Sequence, residues 1–266
     1  MNRFSMPRFL SFLAVALVAG VLFAQEPEPT PSERVLLPIL TPPVHGAFGS
    51  EFHTELRIAN DSENVLFLLG LDAARCAPIC LPTLFPLTLE PGQEAGPGDV
   101  TLNGSPGRFV FIDADQVSSV AMNLRVHDVT RDGLNYGTEI PIVRERDFKS
   151  NRLTFVGVPT DARFRNTLRI YGESPVDVLV TVGDLAPVRL RLAGGFSFPG
   201  GIDLSDFFSP AYAAFTSFPT GIAPVRVTVE TEPDFIPLLP IEIPLWAFIT
   251  VTNNDTQVIS TITPQP

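Results

Sequence analysis

The chain has 266 residues, 45% hydrophobic and 18% charged, with 29 Asp and Glu against 18 Lys and Arg for a net charge of −11. That length supports more than one hydrophobic core. The acidic balance argues against nucleic acid and anionic lipid as partners, since both require a cationic surface.

Arg3 and Arg8 precede an apolar run from Phe9 to Ala24, and polarity switches abruptly at Gln25-Glu26-Pro27. Positive charge, a short apolar core and a small residue at its end predict a secretory signal over residues 1–24, cut after Ala24. A retained membrane anchor is the alternative, although the run is shorter than the roughly 20 residues that span a bilayer comfortably. Loss of the two arginines takes the net charge to about −13. Residues 25–33 then form a Pro/Glu-rich spacer, expected to be extended. The strongest later candidate for a membrane span, Phe235 to Val251, is interrupted by Pro237, Pro240 and Pro244, which deny it helical continuity.

Two stretches repeat each other at a spacing of 112. Phe52-His53-Thr54-Glu55-Leu56-Arg57-Ile58 returns as Phe164-Arg165-Asn166-Thr167-Leu168-Arg169-Ile170. Period-two alternation of this kind is the mark of a half-buried strand, and self-similarity at a fixed spacing predicts two copies of one unit. The first copy is placed at 34–143, a charged linker at 144–151, and the second copy at 152–266. Each copy opens with an apolar strand, Val35 to Leu40 and Leu153 to Val158, and continues with the repeated strand. A third follows at Val65 to Leu71 and Val176 to Val182. A fourth is Leu84 to Leu89, where Pro86 marks a sheet edge, matched by Val188 to Leu192. After a Gly/Pro-rich middle come Arg108 to Ile112 and Val225 to Val229, then Val120 to Val126 and Trp246 to Val251. A turn and a last strand close each copy, at Gly137 to Val143 and Gln257 to Thr263. Weak helical turns are expected near Ala73-Ala74-Arg75 and over Leu204 to Ala214. About seven short strands per copy predict an all-β fold of two tandem antiparallel Ig-like β-sandwich domains. The phenylalanines, 21 against three Tyr and one Trp, suit such cores because a buried Phe needs no hydrogen-bond partner.

The second-strand pattern, the Pro/Gly-rich middle and the closing Trp246-Ala247-Phe248-Ile249-Thr250-Val251-Thr252-Asn253-Asn254-Asp255-Thr256 resemble uncharacterised exported bacterial proteins built from tandem Ig-like β-sandwich repeats. The resemblance implies an extracytoplasmic location and brings no catalytic residues.

Cys76 and Cys80 enclose Ala77-Pro78-Ile79. In an exported protein this pair is expected to form a disulfide, which would constrain the unfolded chain by about 2 kcal/mol. A redox dithiol or two metal thiolates are the competing readings, and no second Cys pair exists to complete a zinc site. His45, His53 and His127 show no metal-binding spacing and read as isolated surface residues. Asp113 and Asp115 follow a strand, and Glu230-Thr231-Glu232 stands at the equivalent place in the second copy. Alternate carboxylates at a strand end offer oxygen ligands for calcium, the plainer reading being a solvated turn. Asn60, Asn103 and Asn254 each start a glycan-acceptor triplet, and each also sits where a turn is expected. The phenylalanines of the long Gly194 to Pro224 stretch, Phe196, Phe198, Phe207 and Phe208 foremost, form either an interaction loop or a cap on the core. No nucleophile elbow or phosphate loop occurs.

The sequence therefore predicts an exported non-catalytic structural or protein-interaction module, periplasmic, extracellular or on the cell surface. It requires no cofactor, and its partner is a protein or cell-surface component. The alternative is an extracytoplasmic carbohydrate- or calcium-binding protein, or a hydrolase accessory domain. The rarity of Tyr and Trp counts against a sugar-binding face.

Overall fold

The computed structural model describes residues 32–40, 43–72, 86–97, 99–100, 105–131, 136–149, 152–194, 208–232 and 243–265. The predicted signal segment, Cys76, Cys80, Asn103, Phe196, Phe198 and Phe207 lie outside the described residues. The described chain is all-β, without an α-helix. Among the described residues no helix is long and apolar enough to cross a membrane.

The first half contains β1 (Ser32–Leu40), β2 (Val44–His45), β3 (Glu51–Asn60), β4 (Leu66–Asp72), β5 (Pro86–Leu89), β6 (Glu94–Ala95), β7 (Ser105–Asp113), β8 (Val120–Asp128), β9 (Thr138–Ile140) and β10 (Val143–Arg144). The second contains β11 (Arg152–Val158), β12 (Phe164–Gly172), β13 (Asp177–Val182), β14 (Val188–Arg191), β15 (Ala193–Gly194), β16 (Ala211–Phe215), β17 (Val225–Thr231), β18 (Leu245–Asn253) and β19 (Ile259–Ile262). In the first half, one sheet runs β10-β1-β7-β4-β5 and the other β2-β3-β8-β9, with β6 also on β3. In the second, the orders are β11-β17-β13-β14 and β15-β16-β12-β18-β19. With β2, β6, β10, β15 and β16 set aside, the two halves share one order: β1-β7-β4-β5 corresponds to β11-β17-β13-β14, and β3-β8-β9 to β12-β18-β19. The repeated heptapeptides occupy the same place, β3 beside β8 and β12 beside β18. Phe52 pairs with Asp128 and Phe164 with Asn253.

Two elements differ from the sequence reading. The last strand of the first half is not continuous over Gly137 to Val143. Pro141 divides it, so that β9 pairs with β8 while β10 crosses to β1. Proline has no N–H to give the ladder, and the chain changes sheets there. The second half does the same around Pro264, beyond which the Gln265 N–H donates to the Thr154 carbonyl at 2.8 Å. The described end of the predicted helical turn over Leu204 to Ala214 is instead extended. Ala211 to Phe215 forms β16, in register with Gly172 to Leu168 of β12. Pairing to an available sheet edge overrides the helix preference of its alanines. β6 makes the smaller version of that addition on β3.

Burial separates strands with one buried face from strands with two. β13 alternates strictly, with Val178, Val180 and Val182 buried and Asp177, Leu179 and Thr181 only partly so. β1 is buried continuously from Val35 to Leu40, and β18 from Leu245 to Thr252. Continuous apolar runs are what strands covered on both faces require. In β18, Leu245, Ala247, Ile249 and Val251 enter the core of the second half, with Phe155, Leu168, Ile170, Val180 and Val229. Trp246 and Phe248 point the other way and join the core of the first half, together with Tyr171 from β12. Tyr171, wholly buried, donates its hydroxyl hydrogen to the Pro106 carbonyl at 2.9 Å. Its ring lies 5.9 Å from that of Trp246, 5.2 Å from Tyr212 and 6.4 Å from Phe248. Gly107 admits this packing, because a Cβ there would stand 2.8 Å from the Tyr171 ring. The segment 144–151, read as a solvated linker, is packed where it is described. Phe148 is buried in the first core beside Phe109, and Lys149 exchanges backbone hydrogen bonds with Leu245. Residues Ser32–Pro266 accordingly form one compact unit.

Candidate functional site: a cationic cleft between the halves

The outward face of β12 and β18 is aromatic at one end and polar at the other. Beyond Tyr171, Trp246 and Phe248 it presents Arg169, Thr167, Arg165, Thr250 and Thr252. These residues, with Tyr212 and Ile259, form one wall of a cavity of ≈ 390 Å³. The opposite wall belongs to the first half: Ile39, Val44, Phe52, Pro106, Val126 and Ile140. Phe52 and Val126 share their strand faces with the buried Leu56, Ile58 and Leu124, so this wall is continuous with the first core. Among the described residues no carboxylate lines the cavity.

Arg169 is fixed. Its guanidinium donates to Thr250 Oγ1 at 2.7 Å and lies over the Phe248 ring at 5.9 Å. Burial raises the Tyr212 phenol above its ordinary value, against the pull of Arg169, so the hydroxyl stays neutral. Arg165, four residues earlier on the same face, is exposed and carries no hydrogen bond or ion pair among the described residues.

Ile39 reaches the cavity through an unusual backbone. It has φ 60 and is skipped in the ladder between Pro38↔Gly107 and Leu40↔Ser105. A β-branched residue in the left-handed region is strained. The matching penultimate residue of the second half's opening strand is Gly157, at φ 71, where glycine adopts the same region freely. Strain of this kind persists where surrounding structure enforces it and gathers at binding sites.

A second polar cluster holds the far side of the junction. Arg34 pairs with Glu145 and, at 2.9 Å, with Glu173 of the second half. Glu33 pairs with Arg144 at 2.8 Å and with Arg146 at 3.3 Å. Burial pushes the Glu145 carboxyl up to about 7, helped by a hydrogen bond to Glu173 and opposed by Arg34. The folded value exceeds the ordinary 4.5, so this stabilisation is complete below pH 4.5 and lost as pH rises through 7. Glu145→Gln removes that dependence. The melting temperature of the native chain is expected to fall relative to the variant between pH 4.5 and 7, by the equivalent of about 1–2 kcal/mol after allowance for solvent screening. Parallel melting curves across that range would contradict the assignment.

The other residues singled out by sequence are placed as follows. His53 and His127 are not isolated: they are direct partners across β3 and β8, with ring centroids 6.3 Å apart. His53 Nε2 lies 2.8 Å from Glu51 Oε1, and His127 Nε2 lies 3.8 Å from Glu55 Oε1. Only strand register, set over 74 residues, brings them together. Asp113 ends β7 and Asp115 stands on the turn that follows, both exposed. In the second half Glu230 pairs with Arg152 and Glu232 with Arg189. Among the described residues no group of three His, Cys, Asp or Glu is gathered closely enough to hold a metal ion. Asp128 is structural. Burial alone would raise it, but the Thr130 hydroxyl and the Thr130 and Glu51 amides hold its carboxyl at about 2.

Of the phenylalanines in the proposed interaction loop, Phe208, Phe215 and Phe218 are described: Phe215 is buried in the second core with Phe218 packed against it at 5.3 Å, while Phe208 packs edge-on against Phe111 at 5.6 Å with Arg108 over its ring. Phe208 thus lies across the first half. Asn60 is wholly buried, so its triplet is not a glycan acceptor in the folded chain. Its side-chain amide donates to the carbonyls of Asn64 and Leu89 and accepts from Ser62. Sequence reasoning missed the cleft because its two walls belong to different halves. The available signal was the residue pattern of β18, apolar on both faces up to Ile249 and then threonine on one.

No family model, curated protein or solved structure matches this chain.

Proposed function

We propose that this chain is an exported, non-catalytic binding module. Two Ig-like sandwiches, covering 34–143 and 152–266, act as one rigid body outside the cytoplasm. The observation that carries this reading is the pair of halves with one strand order, joined through Tyr171, Trp246 and Phe248. A rigid junction holds end loops and sheet edges at fixed separation, as recognition of a partner protein or cell-surface component requires. β3 against β8 and β12 against β18, with β1 against β7 and β11 against β17, support the Ig-like description. Arg3 and Arg8 ahead of the apolar run from Phe9 to Ala24 support export.

Expression of the whole chain in a bacterial host, followed by fractionation and N-terminal sequencing, tests the location. Protein outside the cytoplasm beginning at Gln25 is expected. Cytoplasmic protein beginning at Met1 would contradict export. A hydrolase panel run on the same preparation is expected to show no turnover, and reproducible turnover would overturn the non-catalytic assignment.

A further inference from the structure

The cleft between the halves has no assigned occupant, and its chemistry is specific. We infer that it binds an amphipathic organic anion: a single carboxylate head on an unbranched apolar chain. Its ≈ 390 Å³ falls within the range of small-molecule sites. The side contributed by the first half is apolar, with Ile39, Phe52, Val126 and Ile140. The side contributed by the second half carries two guanidiniums and three threonine hydroxyls.

The charge pattern selects the head group. The protein as a whole is strongly acidic, yet two arginines face this cavity and no described carboxylate answers them. Arg169 is already oriented by Thr250 and the Phe248 ring. A guanidinium held in place by neutral partners keeps its full charge and its remaining donors for a ligand. Arg165 has no such tether and stands at the exposed rim, where it can close over a bound carboxylate. Thr167 and Thr252 supply further hydroxyls on the same wall. A neutral sugar would leave both guanidiniums without a counter-charge, and a small inorganic anion would leave the apolar side unfilled.

The apolar side selects the chain. It is the edge of the first core, where Phe52 is only partly buried and Val44 is exposed beside the buried Ile39, Val126 and Ile140. Filling it removes apolar surface from water. The strained Ile39 backbone, where the matching strand uses glycine, turns an apolar side chain into this space.

Decanoate serves as the probe, with decanol and inorganic phosphate as controls, measured by calorimetry and thermal shift on the folded chain. Decanoate is expected to bind with one-to-one stoichiometry, at least tenfold more tightly than either control. Arg165→Ala is expected to weaken decanoate about 10–100-fold, the loss of a charge-assisted contact, and to leave decanol binding and the unliganded melting temperature unchanged. Arg165→Lys should restore part of the loss. Because Arg165 is exposed and untethered, these variants fold like the native chain. Three results overturn the inference: no binding of decanoate, equal binding of decanoate and decanol, or an Arg165→Ala variant that retains native affinity. Binding of phosphate alone with native-like affinity would also overturn it, since the apolar side would then have no role. None of these outcomes depends on whether the chain is exported.

Discussion

Trp246→Ala is expected to destabilise the whole folded chain by about 3–5 kcal/mol, the cost of emptying a large aromatic site in a packed interior. The indole is 6% exposed and lies 5.2 Å from Phe248 and 5.9 Å from Tyr171. Its strand neighbours Leu245 and Ala247 face the core of the second half, whereas the indole itself completes the core of the first. Truncation therefore opens a cavity between bodies that share the contact. Urea unfolding followed by circular dichroism should show one transition displaced as a whole, with an unchanged slope. Trp246→Phe should recover most of the loss, because it keeps an apolar ring without adding a polar group. If Trp246→Ala instead produced two separated transitions, one at the native midpoint, the halves would be independent and the shared core would be wrong.

The second large effect is expected at Asn60→Asp, a change of one atom type in side-chain shape. The native amide donates to the Leu89 carbonyl at 2.9 Å and to the Asn64 carbonyl at 2.8 Å, in a site with no exposure. A carboxylate would point an oxygen at those two carbonyls, orphaning both and burying a charge without a counter-ion. Breaking such a network costs about 3–4 kcal/mol. The acid at this position would bind its proton more tightly in the folded than in the unfolded state. The deficit should therefore shrink as pH falls below the ordinary carboxylate range. Denaturant midpoints at pH 7 and pH 4 check both the size and the sign. A neutral effect at both values would restore Asn60 to the solvated turn that its Asn-Asp-Ser triplet suggests.

Local pattern carried much of the architecture. The alternation around Leu56 and Ile58, and around Leu168 and Ile170, marked β3 and β12 because each strand buries one face. Val178, Val180 and Val182 did the same for β13, and Pro86 correctly placed β5 at a sheet edge. What was not legible depended on distant partners. Nothing near Ala211 to Phe215 says that the β12 edge is free to receive it. Pro141 signals a break, but not that the chain then crosses to β1. Charges at Arg144, Glu145 and Arg146 look like a solvated connection until Glu33, Arg34 and Glu173 are placed beside them. The cleft follows the same logic: Arg165 and Arg169 resemble ordinary outward residues of a repeat, and only the edge of the first core gives them a cavity. Leu36-Leu37 and Trp246-Ala247-Phe248 did carry a readable sign, since a strand apolar on both faces needs two covers.

The central claim is that the matched halves melt as a single cooperative body through Tyr171, Trp246 and Phe248. Scanning calorimetry of the folded chain at pH 7 tests it most directly. One transition is expected, with the calorimetric enthalpy equal to the van't Hoff enthalpy. Two resolved transitions, or a calorimetric enthalpy near twice the van't Hoff value, would contradict it.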